Sequence, residues 1–454
     1  MKDIKKELVG KKVLIIGLGR SGISTALFLN RRGAKVLTND IKDKNELTSI
    51  VGMLNYLGMD FVGGHHENWL LDKVELIIVS PGVPADLPLL KIAEKKGIDI
   101  WSEVELASKF ISAPIIGVTG TNGKTLAVSL IGDIYRSAKK ESLVAGNIGN
   151  PLIDVVDKIS DNGRVIAEIS SFQLEWIEQF KPYIGVLLNI SSNHLDRHLN
   201  LNKYIELKLR IFSNQTKKDY AILNYDDPLI KSCGKNLKSK QIFLSNKVVP
   251  ENGIGIEDNT IVANISNRKI ICKISELPFP HHHLTSVLSA IAVSILDNID
   301  VDVIVNVLKD YKGLPHRMEY VGRIKGAFVY NDSKATNPQS TIEALRSFKK
   351  PVILIAGGRD KKMDFSELGK EIDANVKTLI LIGETSDIIA STLSKDRKNK
   401  LLFAKDIKDA VKIAFKQCKE KDIILLSPAC ASFDMFRDYK ERGEVFKREV
   451  LNIG

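Results

Sequence analysis

The stretch "GVTGTNGKT", residues 117–125, directly follows the apolar run "APII", and it constrains this chain more than any other. A glycine-rich turn between a strand and a helix, ending in Gly-Lys-Thr, suits phosphate. Backbone N–H groups and a lysine face the oxygens, and the last hydroxyl is a magnesium ligand. Such a loop lies at the carboxyl edge of a parallel sheet, so it also dictates the topology around it. Counted from Gly117, the spacing to Lys124 is one residue longer than the usual pattern, and Gly120 is an additional glycine within it. On this reading Gly120, Thr121, Asn122, Gly123, Lys124 and Thr125 bind ATP, with Lys124 on the β- and γ-phosphates and Thr125 on Mg²⁺.

A second loop, "GLGRSG" at 17–22, also follows a strand and opens a helix, and Asp40 ends the next strand. Glycines here let backbone amides approach a pyrophosphate, and the acid takes ribose hydroxyls. NAD, FAD, a UDP group or a tight turn with no ligand all fit this loop, which cannot choose among them.

The rest of the chain repeats the same rhythm. "KVLIIGLG", "GISTALFLNRRG" and "AKVLTND" read strand, helix, strand, and "VELIIVSPG" and "IDIW" complete a first α/β unit near residue 102. "APIIGVTG", "RVIAEIS", "IGVLLNI" and "DYAILN" supply a second unit. The lysine-rich stretch 232–280 is expected to form a small mixed or antiparallel sheet, followed by helices over 284–297 and 301–311. "GLPHR" at 313–317 is a Gly/Pro break and the expected hinge. Beyond it "AFVYND", "PVILIAGG", "TLILIG" and "DIILLSPA" spell a second doubly wound sheet. The expected division is 1–102, 103–313 and 314–454.

The bulk numbers agree with this. A chain of 454 residues, 44% hydrophobic and 27% charged, supplies cores for about three domains. Its net charge of +11 suits phosphorylated ligands, but the lysines are spread throughout, which argues for a solvated surface over a nucleic-acid site. The four cysteines, Cys233, Cys272, Cys418 and Cys430, form no C-x-x-C pair. No apolar run approaches the ~18 residues of a membrane span, and the N-terminal stretch lacks a signal-peptide core. A reduced cytoplasmic protein that engages neither membrane nor nucleic acid is expected.

Mg²⁺ needs oxygen ligands beyond those of ATP. Glu168 ends the apolar strand "RVIAEIS", level with the phosphate loop, and is expected to be one. His194 in "NISSNHLDRH" could ligate a metal, orient a phosphate, or simply cap a loop. Lys208 in "YIELKLRIF" reads from pattern as an exposed helix lysine; burial there would demand a nearby anion.

Taken together, "GVTGTNGKT", "GNIGNPL", "AEISSFQLE", "NISSNHLDRH" and "YIELKLRIF" resemble, in that order, the ATPase domain of the Mur ligases, bacterial peptidoglycan enzymes. "SSFQLE", "NDSKATNP" and "LSPACASFDMF" resemble the branch that adds D-glutamate, and the likeness spans nearly the whole chain. It implies an α/β protein of three domains, with an N-terminal Rossmann-like domain, a central P-loop-type ATPase domain and a C-terminal Rossmann-like domain. It implies a monomer using ATP and two Mg²⁺ ions, with UDP-N-acetylmuramoyl-L-alanine and D-glutamate as substrates. ATP would phosphorylate the first substrate's carboxylate, and the D-glutamate amine would displace the phosphate.

By the same resemblance, Thr125 and Glu168 would hold one Mg²⁺, and His194 with a carbamylated Lys208 the other. Asn147 would contact the substrate near its reacting end. Gly17, Arg20, Ser21, Asp40 and Gly82 would surround the UDP group. Lys334, Thr336, Lys361, Ser432 and Tyr439 would receive D-glutamate, whose carboxylates need cations and hydroxyls. Arg317 and Asp332 would lie near the ATP phosphates and ribose, and domain closure is expected. Two stretches depart from the family. "HHHLTSVLSA" puts His283 and Ser286 where asparagines touch adenine, and Leu126 replaces a second hydroxyl. A diaminopimelate- or lysine-adding sibling would carry a D-N-P-R type motif, which is missing here. An NAD-dependent oxidoreductase would leave Gly-Lys-Thr and Glu168 unexplained, and a folate-polyglutamating relative would lack the UDP unit.

Overall fold

The computed structural model describes residues 8–72, 74–190, 201–234, 236–279, 283–348, 350–360, 363–398 and 401–453. Among these residues the strands form three sheets. The chain divides into two compact units, Met1–Tyr311 and Lys312–Gly454.

The first sheet holds β1 (Lys12–Ile16), β2 (Lys35–Asp40), β3 (Asp60–Gly63), β4 (Leu76–Val79) and β5 (Asp99–Ser102), in the order β3-β2-β1-β4-β5. All its pairings are parallel. Val13 to Ile16 are buried, which is why β1 reads as an unbroken apolar run. From β1 the chain winds outward to β2 and β3, then crosses back to β4. The loops after β1 and β4 therefore flank a crevice at the carboxyl edge, where ligands bind in such sheets.

The second sheet comprises β6 (Ile115–Thr119), β7 (Ser142–Gly146), β8 (Arg164–Glu168), β9 (Ile184–Leu187), β10 (Tyr220–Asn224), β11 (Lys240–Leu244), β12 (Gly253–Glu257), β13 (Thr260–Asn264) and β14 (Arg268–Lys273). Its order is β14-β13-β12-β11-β10-β9-β6-β8-β7. The stretch 232–280 is therefore no separate small sheet. Its strands β11 to β14 extend the central sheet, parallel through β12 and antiparallel from β12 to β14. Gly253 makes this junction possible: a Cβ there would collide with the Phe243 carbonyl, so only glycine lets β12 dock on β11. One apolar cluster, including Phe28, Ile115, Phe180 and Leu223, runs through the layers of both sheets of this unit.

The second unit carries β15 (Glu319–Ile324), β16 (Ala327–Asn331), β17 (Val352–Gly357), β18 (Val376–Ile382), β19 (Leu402–Phe403) and β20 (Ile423–Leu426), in the order β15-β16-β20-β17-β18-β19. Sequence reading missed β15. It pairs antiparallel with β16 through a hairpin at Lys325 and Gly326, whose φ values of 47° and 83° suit a tight primed turn. Among the described residues no helix is long and apolar enough to cross a membrane.

Candidate active site

The Gly-Lys-Thr loop leaves β6 at its carboxyl edge and enters the helix Lys124–Ser137. Gly120 (φ 153°) and Gly123 (φ 84°) sit where side chains are strained, and this lets the loop turn tightly from β6 into the helix. The loop is held from outside. Thr121 N–H donates to the Asn189 carbonyl at 3.0 Å, Asn122 N–H to Asn189 Oδ1 at 2.8 Å, and Ser286 Oγ to the Gly123 carbonyl at 3.1 Å. The Lys124 ammonium donates to the Gly120 and Thr121 carbonyls at 2.8 and 2.9 Å, so it lies over the loop. Ser286, at an expected adenine position, instead braces the loop's last turn.

Glu168 is placed by pairing: it lies opposite Val118 of β6 and Gly146 of β7. It is only 2% exposed, and its two oxygens have different partners. Thr125 Oγ1 donates to Oε2 and Asn147 Nδ2 to Oε1, each at 2.9 Å. Asn147 N–H also donates to the Glu168 carbonyl at 2.8 Å. Gly146 (φ 102°) permits this closeness, because a Cβ there would collide with that carbonyl.

Lys208 overturns the pattern reading of an exposed helix lysine. It is 1% exposed, and its ammonium donates to the Gly120 carbonyl at 2.8 Å, 4.5 Å from the Tyr204 ring. Burial, reinforced by the Lys124 cation and opposed by Glu168, lowers it to about 6. His194 lies outside the described residues.

Among the described residues no group of three His, Cys, Asp or Glu side chains could hold a metal. Thr125 and Glu168 suit Mg²⁺ nonetheless. It takes hard oxygen donors, keeps several waters, and needs only one or two protein ligands when phosphates supply the rest.

At the first loop Gly17 (φ 90°) turns the chain out of β1. Its carbonyl accepts from Ser80 Oγ at 2.7 Å, and a Cβ at Gly22 would collide with that same carbonyl. Asp40 accepts from Leu18 N–H at 2.6 Å and Lys42 N–H at 2.9 Å, so it pins the loop. Arg20 and Ser21 begin the helix Arg20–Arg31, and Gly82 lies in the turn after β4. Arg20 donates to Asn150 Oδ1 at 2.7 Å. Ser24 donates to Asp154 at 3.2 Å, and Arg32 pairs with Asp157 at 2.6 Å. The segment carrying Asn147 is thus tied to the helix behind the first loop.

In the second unit Asp332 follows β16, 5% exposed. It accepts from Ser427 Oγ at 2.8 Å and Met318 N–H at 3.2 Å, and burial raises its carboxyl to about 7. Arg317 sits between His316 and Met318, both in the left-handed region with φ of 63° and 45°. Lys334 Nζ lies 4.2 Å over the Tyr439 ring, and Ser432 is buried. Thr336 is half-buried in the irregular stretch after Lys334. Lys361 lies outside the described residues.

Sequence reading passed over three polar groups that hold these sites. Glu105 is fully buried and accepts from the Glu178, Gln179 and Phe180 N–H groups at 2.8–3.0 Å. Asn189 braces the phosphate loop, and Arg442 lies buried in the second unit. A carboxylate in the first turn of a helix, as Glu105 is, reads as an N-terminal charge, and nothing in the pattern marks these residues as interior.

The Mur ligase middle domain matches residues 118–288, the glutamate ligase domain of Mur ligases residues 316–430, and the MurD-like N-terminal domain residues 11–102. A UDP-N-acetylmuramoylalanine--D-glutamate ligase of Clostridioides difficile (strain 630) is 42% identical over 450 residues, 98% of this chain and 100% of the relative. One from Thermoanaerobacter sp. (strain X514) is 44% identical, covering 98% and 99%. Among solved structures, the UDP-N-acetylmuramate-alanine ligase MurC of Thermotoga maritima covers 98% of this chain and 100% of its own, at a TM-score of 0.58 and 17% identity. MurF ligase of the same organism, in complex with ADP, covers 100% of both at 0.57 and 16%. At such identities these two structures share the fold.

Proposed function

The chain belongs to the Mur ligase family, and from that premise we infer that it is the ATP-dependent ligase joining D-glutamate to UDP-N-acetylmuramoyl-L-alanine in peptidoglycan precursor synthesis. The observation that carries this is end-to-end similarity, above 40% identity, to relatives bearing that name. The phosphate loop with its Thr125–Glu168 contact supplies the matching chemistry.

A carboxylate oxygen of the first substrate attacks the γ-phosphorus of ATP, and ADP leaves. The neutral D-glutamate amine then attacks the acyl carbon, a tetrahedral intermediate forms and its nitrogen gives up a proton to water, and the C–O bond breaks as phosphate departs with its electron pair. Lys124 offsets negative charge as the phosphoryl group moves. The N–H groups of the loop and first helical turn cradle the phosphates. Asn147 holds Glu168 from one side while Thr125 holds it from the other, keeping that carboxylate oriented.

Mg²⁺, held by Thr125 and Glu168 and by His194 with a carbamylated Lys208, would draw charge from the transferring phosphoryl group. The buried, depressed amine of Lys208 supports that modification, because only the neutral form attacks carbon dioxide. Gly17, Arg20, Ser21, Asp40 and Gly82 form the UDP-group site in this reading. Lys334, Thr336, Lys361, Ser432 and Tyr439 receive D-glutamate, and Arg317 and Asp332 serve the nucleotide. The domains are 1–102, 103–313 and 314–454, and the protein acts in the cytoplasm. Phosphate release from ATP and UDP-N-acetylmuramoyl-L-alanine, with and without D-glutamate, tests the reading; no stimulation by D-glutamate contradicts it.

A further inference from the structure

Arg442 is among the largest fully buried side chains of the molecule, only 1% exposed. Its sequence setting, "YKERGEVFKREV", belongs to a surface helix. Taking a guanidinium out of water is costly unless its donors are satisfied, and such a charge usually finds a carboxylate. Here its partners are neutral oxygens. Nε donates to Ser333 Oγ at 3.0 Å and Nη2 to the Ser333 carbonyl at 2.8 Å. Nη1 donates to the Cys430 carbonyl at 3.1 Å and more weakly to that of Ala431 at 3.3 Å.

Those partners stand next to the residues that receive D-glutamate in the proposed reading. Ser333 precedes Lys334, and Ala431 precedes Ser432. Ser333 Oγ donates onward to the Tyr439 carbonyl at 2.8 Å. The Ala431 carbonyl also accepts from Arg359 N–H at 2.9 Å, which ties in the loop leading to Lys361. A Cβ at Gly358 would press on Arg442 Nη1 at 3.2 Å. One planar fork thus joins the loops after β16 and β20 directly and braces the loop after β17, and its own helix begins at Tyr439.

We propose that Arg442 is the positioning residue of the D-glutamate site. Its fork fixes the spacing of Lys334, Ser432 and Tyr439, and its charge, felt also by the Asp332 and Asp434 carboxylates, adds positive potential beside a site for a dicarboxylate. Burial lowers the guanidinium to about 10, leaving it cationic at neutral pH. A lysine cannot substitute, because a point charge has no planar set of donors for the Ser333 and Cys430 oxygens together.

The inference rests on the ligase reading, so wild-type protein is assayed first; failure of D-glutamate to stimulate phosphate release there refutes the reading itself. Given stimulation, Arg442→Met and Arg442→Lys should raise the KM for D-glutamate about tenfold or more, the loss expected of charge-assisted contacts. The KM values for ATP and UDP-N-acetylmuramoyl-L-alanine should change less than about twofold. Guanidinium ion should partly restore the D-glutamate KM of Arg442→Ala. Ser333→Ala keeps the arginine and removes one acceptor, so it decides the matter if the arginine variants do not fold; its D-glutamate KM should rise about threefold. An unchanged D-glutamate KM, or equal rises in all three KM values, would overturn the proposal.

Discussion

Thr125, in the first turn of the helix that follows the phosphate loop, donates its hydroxyl at 2.9 Å to Glu168, the last residue of β8. The nucleotide loop and the neighbouring strand are thereby joined by two oxygen groups of the kind Mg²⁺ takes. Thr125→Val keeps the shape and deletes the oxygen. Its phosphate release should fall about 10²–10³-fold, and raising Mg²⁺ should recover part of the loss. A change under about threefold would remove Thr125 from the site.

Lys124→Ala should abolish turnover while the Kd for UDP-N-acetylmuramoyl-L-alanine, read by calorimetry, stays within about twofold. The lysine contacts the phosphate loop's own carbonyls, whereas Gly17 follows β1 and Asp40 ends β2 of a different sheet. A parallel loss of UDP-substrate binding would mean that the two loops do not divide the labour.

Lys208 should depend on carbon dioxide. Carbonate-depleted enzyme should lose activity and regain it with bicarbonate. Lys208→Ala should be nearly inactive and be partly restored by short-chain carboxylic acids, which return a carboxylate to the gap. Indifference of both proteins to these additions would rule out the modified lysine.

Gly146 and Gly149 test the geometry that presents Glu168. Both have positive φ, 102° and 67°. A Cβ at Gly146 meets the Glu168 carbonyl, whereas the nearest atom at Gly149 is 3.8 Å away. Gly146→Ala should cost about 1–3 kcal/mol beyond Gly149→Ala and lower kcat as well. Equal Tm values for the two variants would contradict this.

Glu103 supplies a pH signature. It is buried and accepts from Ile153 N–H at 2.6 Å, and among the described residues its other oxygen has no hydrogen-bond partner. Burial raises its carboxyl from 4.5 to about 7. Between those values the unfolded chain has released the proton and the folded one retains it, so stability falls as pH rises through that window. Glu103→Gln removes the penalty. Its Tm should exceed wild type at pH 8, by an amount reflecting a few kcal/mol, and should match or fall below it at pH 5. A difference independent of pH would contradict the assignment.

The parts legible in sequence were those written locally. Gly120 and Gly123 mark a turn with positive φ, β1 and β6 are apolar runs, and Glu168 stands out at the end of one. What was hidden depends on contacts between distant segments. Lys208 looked exposed because its helix gives no sign that the Gly120 carbonyl lies against it. Arg442 sits among charged neighbours, and only the loops at Ser333 and Cys430 make it interior. The β character of 232–280 is legible, but its place in the central sheet is not: nothing local says that Gly253 will meet Phe243.

The most direct measurement is phosphate release from ATP in the presence of UDP-N-acetylmuramoyl-L-alanine, with D-glutamate compared against L-glutamate. Release should rise strongly with D-glutamate, one phosphate per amide bond formed, and stay near background with L-glutamate. Equal release with both isomers, or release without amide formation, would contradict the function assigned to this chain.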